Sequence, residues 1–180
     1  MRLICVCRGN LCRSPMAAAT LRAKAQAVGL SVSIDSAGAA PWHIGDPADP
    51  EAQTALERRG YDAARHRARR IGVQDFLEAD LLLAMDSANH ATLERLAPAD
   101  ATALIEPFHP LHDIFDPYYG GRAEFEAALD IIEEGADILV SRLLSAAETA
   151  MAAVTPRLHR PVPPWFAPSR RAGEDPRGTV

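Results

Sequence analysis

The sequence predicts an α/β fold: a small, doubly wound, four-stranded parallel sheet with helices on both faces and an anion-binding loop after strand one. Three observations predict it. Short apolar runs alternate with helical patterns, the order that right-handed crossovers require. Leu81-Leu82-Leu83-Ala84-Met85 is apolar without a break, as in a strand covered on both faces. The stretch from Leu3 to Pro15 runs from an apolar strand through Gly9-Asn10 into Arg13-Ser14-Pro15 and an alanine-rich segment, which reads as strand, tight loop and helix start.

Each element has its own signals. Met1 to Val6 is short and apolar, so it is a central strand. Ser14 is expected to cap the first helix, with Pro15 in its first turn and Gly29 as its stop. Val32 and Ile34 alternate with polar residues and mark strand two over Ser31 to Asp35, ended by Ser36-Ala37-Gly38. The prolines, Gly45, Trp42 and His43 between Ala39 and Pro50 make an irregular loop. Asp49 then caps a helix that opens on Pro50 and stops at Gly60.

Tyr61 to Ile71 is arginine-rich and irregular, and Asp75 to Ala79 a short helical turn. Asp86 or Ser87 caps the helix after strand three, with Leu93 and Leu96 on its apolar side. Thr102 to Ile105 is strand four. Glu106 to Gly121, with its prolines, histidines and adjacent tyrosines, is a long loop of functional type. Phe125, Leu129, Ile132, Ala136, Leu139 and Leu143 step by three or four along a last helix from about Arg122 to about Val154, with Gly135 a weak point. This gives one domain over 1–154. Residues 155–180 form a proline- and arginine-rich tail, expected to be disordered. Its Pro161-Val162-Pro163-Pro164 run could be a polyproline ligand, though an unstructured end is the stronger reading.

Composition narrows the function classes. A formal net charge of −5 argues against bulk attraction to nucleic acid. No apolar run is long enough for a membrane span, and Arg2 is followed by a strand-length run rather than a signal-peptide core. Three cysteines, all between Cys5 and Cys12, make neither a disulfide framework nor a zinc site. They suit a reducing cytoplasm and a reactive site.

The ends of the strands should bring the Cys7 loop, the Ser36 to Trp42 loop, Asp86 and the Pro107 to Tyr119 loop to one cleft. Left-handed angles at Gly9 and Asn10 would turn backbone N–H groups inward as a nest for an anion. The following helix adds its N-terminal dipole. Arg13 can grip two oxygens of a tetrahedral oxyanion. The same positive field favours a thiolate at Cys7, and Ser14 is placed to hydrogen-bond the sulfur. A thiolate attacking a phosphate ester also needs an acid for the leaving oxygen. Asp116, in Asp116-Pro117-Tyr118-Tyr119, is the first candidate, with Asp113 and Asp86 as competitors; Asp86 precedes a helix and reads better as a cap.

This loop resembles the signature loop of the low-molecular-weight protein tyrosine phosphatases. The similarity continues through Asp35-Ser36-Ala37-Gly38, Trp42, His66-Arg67-Ala68-Arg69, Asp80 to Asp86 with Asn89, and Asp116-Pro117-Tyr118-Tyr119-Gly120. The resemblance implies Cys7 as nucleophile, Arg13 as phosphate binder and Asp116 as general acid, acting through a cysteinyl-phosphate intermediate without cofactor or metal. It implies a phosphate-binding loop of Arg8, Gly9, Asn10, Leu11, Cys12 and Ser14, and a hydrogen-bond network of Ser14, Asn10, Ser36 and His66 that holds the loop. Trp42, Tyr118 and Tyr119 would wall the substrate ring. The implied partner is a phosphotyrosine protein, and a tyrosine kinase is compatible with it, on a monomeric enzyme. Arg8 is a large cation where the family often has a smaller residue, which would favour acidic substrates.

Three rivals remain. An arsenate reductase on the same fold needs further cysteines, and none follows Cys12. A phosphoarginine phosphatase tends to carry threonine where Leu11 stands; Leu11 with Trp42 favours a flat aromatic substrate. A non-catalytic phosphate binder would have no use for Cys7, Arg13 and Asp116 together. Cys12 either pairs reversibly with Cys7 or fills space, and Cys5 is a buried structural thiol. The other histidines, His43 among them, are expected on the surface or in loops. The arginines around His66 either dock an acidic partner or form a solvated face.

Overall fold

The structure is a computed structural model that describes residues 1–154. The expected tail over 155–180 and its polyproline run lie outside the described residues. Two compact units divide the chain, Met1–Ser145 and Ala146–Val180. Of the second, the described residues are the closing turns of the last helix.

In chain order the elements are β1 (Arg2–Cys7), α1 (Arg13–Ala27), β2 (Ser33–Gly38), α2 (Pro50–Arg58) and α3 (Val73–Glu78). They continue with β3 (Leu81–Ala84), α4 (Ser87–Leu96), β4 (Leu104–Pro107) and α5 (Arg122–Val154). The strands form one parallel sheet in the order β2-β1-β3-β4. The chain leaves β1 for one neighbour and returns to the other, so the switch point of the sheet lies beside the carboxyl end of β1.

The period of the strand decides which layer each β1 residue feeds. Leu3, Cys5 and Cys7 pack in the core formed with α1, α2 and α5, where Met16, Leu21, Leu56, Phe125, Leu129 and Ile132 are buried. Ile4 and Val6 pack on the opposite face with Phe76 of α3 and Leu93 of α4. Both faces are therefore covered, and the uninterrupted apolar run of β3 follows from it. The stepped apolar face of α5 from Phe125 to Leu143 is core, as its spacing predicts.

Differences from the sequence reading have local causes. Helix α1 begins at Arg13 with Cys12 as its cap residue and no side-chain cap. Ser14 does not cap it, because its hydroxyl is engaged with Cys7 and Asn10. Strand β2 starts two residues later and ends three residues later than expected, since Ser36, Ala37 and Gly38 continue the pairing with β1 rather than ending it. β4 is displaced in the same direction. Leu96, expected on the apolar side of α4, is exposed, and Leu93 carries that face alone. Asp49 and Asp86 cap α2 and α4 as expected, accepting from Glu51 and Ala52 N–H and from Asn89 N–H.

Candidate active site

The loop between β1 and α1 is shaped by Asn10, which is fully buried and holds φ +59°. Of the two residues expected to turn left-handed, only Asn10 does so; a side-chain amide tolerates this region and here it is also tied down. Its Nδ2 donates to Ser14 Oγ and to Ser36 Oγ, both at 2.9 Å. Its Oδ1 accepts from Arg69 N–H at 2.9 Å. His66 Nε2 lies 2.8 Å from its carbonyl oxygen, so Nε2–H donates there. Asn10 thus belongs with Ser36 and His66 as a residue that holds the loop. Burial, the largest influence, pulls the His66 proton affinity down, which fits a neutral ring.

Two glycines allow close packing here. A Cβ at Gly9 would meet His43 Cδ2 at 3.2 Å. A Cβ at Gly38 would meet Arg8 O and Gly9 C at 3.1 Å. The end of β2 therefore lies directly against the loop, and no larger residue fits there without displacing it.

Cys7 sits at the floor of the loop, 3% exposed. Its Sγ is 3.1 Å from Ser14 Oγ and accepts Asn10 N–H at 3.2 Å. Arg13 is equally buried. Its Nη1 donates to Asp86 Oδ2 and, at 3.0 Å, to the Ile114 carbonyl; Nη2 donates to Asp116 Oδ2 at 2.7 Å. Nε is buried and has no acceptor. Burial opposes the charge of Arg13, but Cys7, Asp116 and Asp86 outweigh it and raise its proton affinity. One edge of the guanidinium is thus anchored by Asp86, and Nε with Nη2 forms the fork that matches two oxygens of a tetrahedral anion.

Cys7, Arg8, Gly9, Leu11, Cys12 and Arg13 line a cleft of about 240 Å³, closed further by Trp42, His43, Asp116, Tyr118 and Tyr119. Trp42 is 60% exposed, so it serves as a wall rather than as core. The Arg8 guanidinium carbon stands 4.7 Å over its ring, a cation–π contact. Tyr118 and Tyr119 meet edge to face with centroids 5.0 Å apart. Asp116 is on the rim, and its Oδ1 accepts Tyr118 N–H at 3.3 Å. Asp113 is committed elsewhere: both its oxygens accept from Ser87, at N–H and Oγ. Cys5, Cys7 and Cys12 are free and buried. Burial pushes the Cys5 and Cys12 thiols up.

Every residue expected in the loop and walls is brought together. Sequence reasoning missed two residues, His43 and Arg69, and, although it placed Asp86 at the cleft, it missed the bond from Asp86 to Arg13. His43 lines the cleft, a place its loop composition did not reveal. Asp86 holds Arg13 as well as capping α4, and Arg69 supports Asn10 through its backbone. Among the described residues no cluster of histidine, cysteine and carboxylate side chains could hold a metal ion.

The low molecular weight phosphotyrosine protein phosphatase family profile matches residues 2–149. The chain belongs to this family. A low molecular weight protein-tyrosine-phosphatase of Streptomyces coelicolor is 38% identical, the match covering 82% of this chain and 96% of the relative. Low molecular weight protein-tyrosine phosphatase A of Mycobacterium tuberculosis is 39% identical over 71% of this chain and 82% of its own. Among solved structures, a protein tyrosine phosphatase of Entamoeba histolytica superposes with TM-score 0.76 at 32% identity, covering 82% of this chain and 99% of that one. Another, described as an arginine phosphatase of Drosophila, superposes with TM-score 0.74 at 31% identity over 79% and 97% of the two chains. The family is one of hydrolases acting through cysteine, and the four-stranded parallel sheet with Cys7 at the end of β1, where the loop begins, agrees with it.

Proposed function

We propose that this chain hydrolyses phosphotyrosine in protein substrates, with Cys7 as nucleophile, Arg13 as phosphate binder and Asp116 as general acid. The observation that carries the reading is the cleft-lining guanidinium of Arg13: tied back by Asp86 and Ile114, with a buried Nε that has no acceptor. A buried donor without a partner costs about 1–3 kcal/mol, and a phosphate oxygen supplies the partner.

In the first step Cys7 Sγ attacks phosphorus, an S–P bond forms and the P–O bond to the tyrosine breaks. Asp116 gives its proton to the departing phenolate oxygen. Loop N–H groups and the Arg13 fork take the non-bridging oxygens, which separates Arg13 from Asp116 and frees the carboxyl for the leaving group. In the second step water attacks phosphorus, Asp116 takes its proton, the S–P bond breaks and phosphate leaves. Ser14 stabilises the departing thiolate by donating to it. Trp42, Tyr118 and Leu11 flank a flat aromatic ring, and Arg8 favours acidic residues beside the phosphotyrosine. The reaction uses no cofactor or metal. Free, buried cysteines suit a reducing cytoplasm, and no described helix is long and apolar enough to cross a membrane.

The test is turnover of p-nitrophenyl phosphate with EDTA present. Activity should persist in the wild type and vanish in Cys7→Ser; undiminished activity in that variant sinks the assignment. Asp116→Asn should slow phosphorylation of the enzyme by about 10²–10⁴, most for poor leaving groups. A second reading, a phosphoarginine phosphatase, is kept open by the Drosophila structure. Arg8 weighs against it, because a second guanidinium at the cleft mouth would meet the cation already stacked on Trp42. Phosphotyrosine and phosphoarginine peptides compared on one preparation separate the two.

A further inference from the structure

A second cavity, of about 490 Å³, is lined by Arg22, Asp35, Ser36, Asp62, Ala63, Arg65, His66 and Arg67. None of the residues assigned to the reaction lines it. Its charge is not balanced. Arg22, Arg65 and Arg67 make no ion pair with a carboxylate among the described residues: Arg22 Nη1 reaches only the Ile34 carbonyl at 3.3 Å, and Arg67 Nη1 only the His66 carbonyl at 2.6 Å. Of the two carboxylates, Asp35 is already neutralised by Arg69, which donates to its Oδ2 from Nε at 3.0 Å and Nη2 at 2.8 Å. Its Oδ1 accepts Ser36 N–H. Asp62 has no cationic partner among the described residues and accepts Ala64 N–H at 2.8 Å. Three guanidinium groups thus face one unpaired carboxylate around a recess large enough for a small molecule.

We propose that this cavity is a binding site for a small polyanion, held by the Arg22, Arg65 and Arg67 guanidinium groups. Arginine suits such a ligand because its planar fork donates to two oxygens of a phosphate or carboxylate at once. Several cations from α1 and from the segment after α2 give the site its specificity for more than one negative charge. Its position gives it a bearing on the phosphate loop. Ser36 and His66 form part of its wall and also hold Asn10, through Ser36 Oγ and the His66 Nε2 bond to the Asn10 carbonyl. Arg22 and Arg67 both disfavour a proton on His66; an anion between them and the ring weakens that effect.

The experiment is a two-dimensional NMR titration of the full chain with inorganic pyrophosphate. Pyrophosphate is also expected to enter the phosphate loop, so two sets of amides are followed. The proposal expects the resonances of Arg22, Arg65, His66 and Arg67 to move with their own Kd, different from that of Gly9 to Arg13. Arg65→Ala and Arg22→Ala, both exposed side chains, should each weaken the first Kd by about tenfold while the shifts of Gly9 to Arg13 keep theirs. A parallel titration with citrate distinguishes a phosphate-selective site from one that takes any polyanion. The proposal is overturned if shifts are confined to Gly9 to Arg13. It is also overturned if the two sets move with a single Kd that neither substitution changes, since the second set then only reports the first.

Discussion

The Asp86 carboxylate shows why single residues here carry two duties. One oxygen caps α4 at Asn89 N–H, and the other holds Arg13. Its position before a helix was enough to predict the cap; the second contact joins residues far apart in the chain and leaves no local trace. Asp86→Asn should keep the cap partly and lose the charge that fixes the guanidinium. We expect kcat/KM for p-nitrophenyl phosphate to fall by about 10–100-fold, the scale of a misplaced binding group, with thermal stability lowered by only about 1 kcal/mol. A variant that lost stability alone would restrict Asp86 to capping. His66 offers a pH test. Burial first, then the nearby Arg22 and Arg67, lower its folded-state proton affinity against the backbone bond to Asn10. The unfolded chain therefore binds the proton more readily, and stability rises with pH over the window from the lowered folded value up to about 6.5. The contribution is complete above that window and is lost as pH falls through it. Denaturant midpoints between pH 5 and 8 should show this slope in the wild type, and His66→Gln should flatten it.

At the scale of elements, most of the fold was legible, because periodicity and caps are local signals. The alternation of layers, the Asp49 and Asp86 caps and the stepped face of α5 all follow from spacing. What was not legible was decided by partners. Ser14 looks like a helix cap, yet its hydroxyl is claimed by Cys7 and Asn10. Ser36-Ala37-Gly38 looks like a strand end, yet Gly38 continues the ladder because the loop after β1 packs on it. Gly135 looks like a weak point in α5. The structure supplies a reason for it: a Cβ there would stand 3.1 Å from Phe108 and from His109. Both residues are 2% exposed and enclosed, so neither side chain is free to yield. Gly135→Ala should gain about 1 kcal/mol of helix propensity and lose about 1–3 kcal/mol to overpacking. The expected outcome is a lower Tm by calorimetry; a higher Tm would mean that propensity, not packing, sets this position.

At the scale of the whole molecule, the segment from His66 to Ile71 ties the loop after β1 to strand β2 and helix α3. Arg69 is its centre. Its backbone N–H donates to Asn10 Oδ1 and its carbonyl accepts Gly38 N–H. Its guanidinium spans Asp35 of β2 and Asp75 of α3, with Nη1 2.8 Å from Asp75 Oδ2. Asp75 is 5% exposed and also accepts from Arg2 at the start of β1 and from Gly72 N–H. Burial alone would raise the Asp75 carboxyl, but the bonds from Arg69 and Gly72 and the charges of Arg69 and Arg2 overcome it and hold the group below its usual range. A lowered folded value means that the unfolded chain takes up the proton first as pH falls. The stabilisation is therefore complete above about 3.9 and is lost as pH falls through the folded value. Asp75→Asn removes the charge while keeping the shape, and leaves Arg69 paired with Asp35. It should cost about 1–3 kcal/mol near neutral pH, read as a shift in the urea midpoint. The gap between variant and wild type should be widest at neutral pH and should narrow as pH falls below about 3.9 towards the lowered folded value. A gap that stayed constant with pH would mean that Asp75 acts through packing, and that the tie between the site and the back of the sheet is not electrostatic.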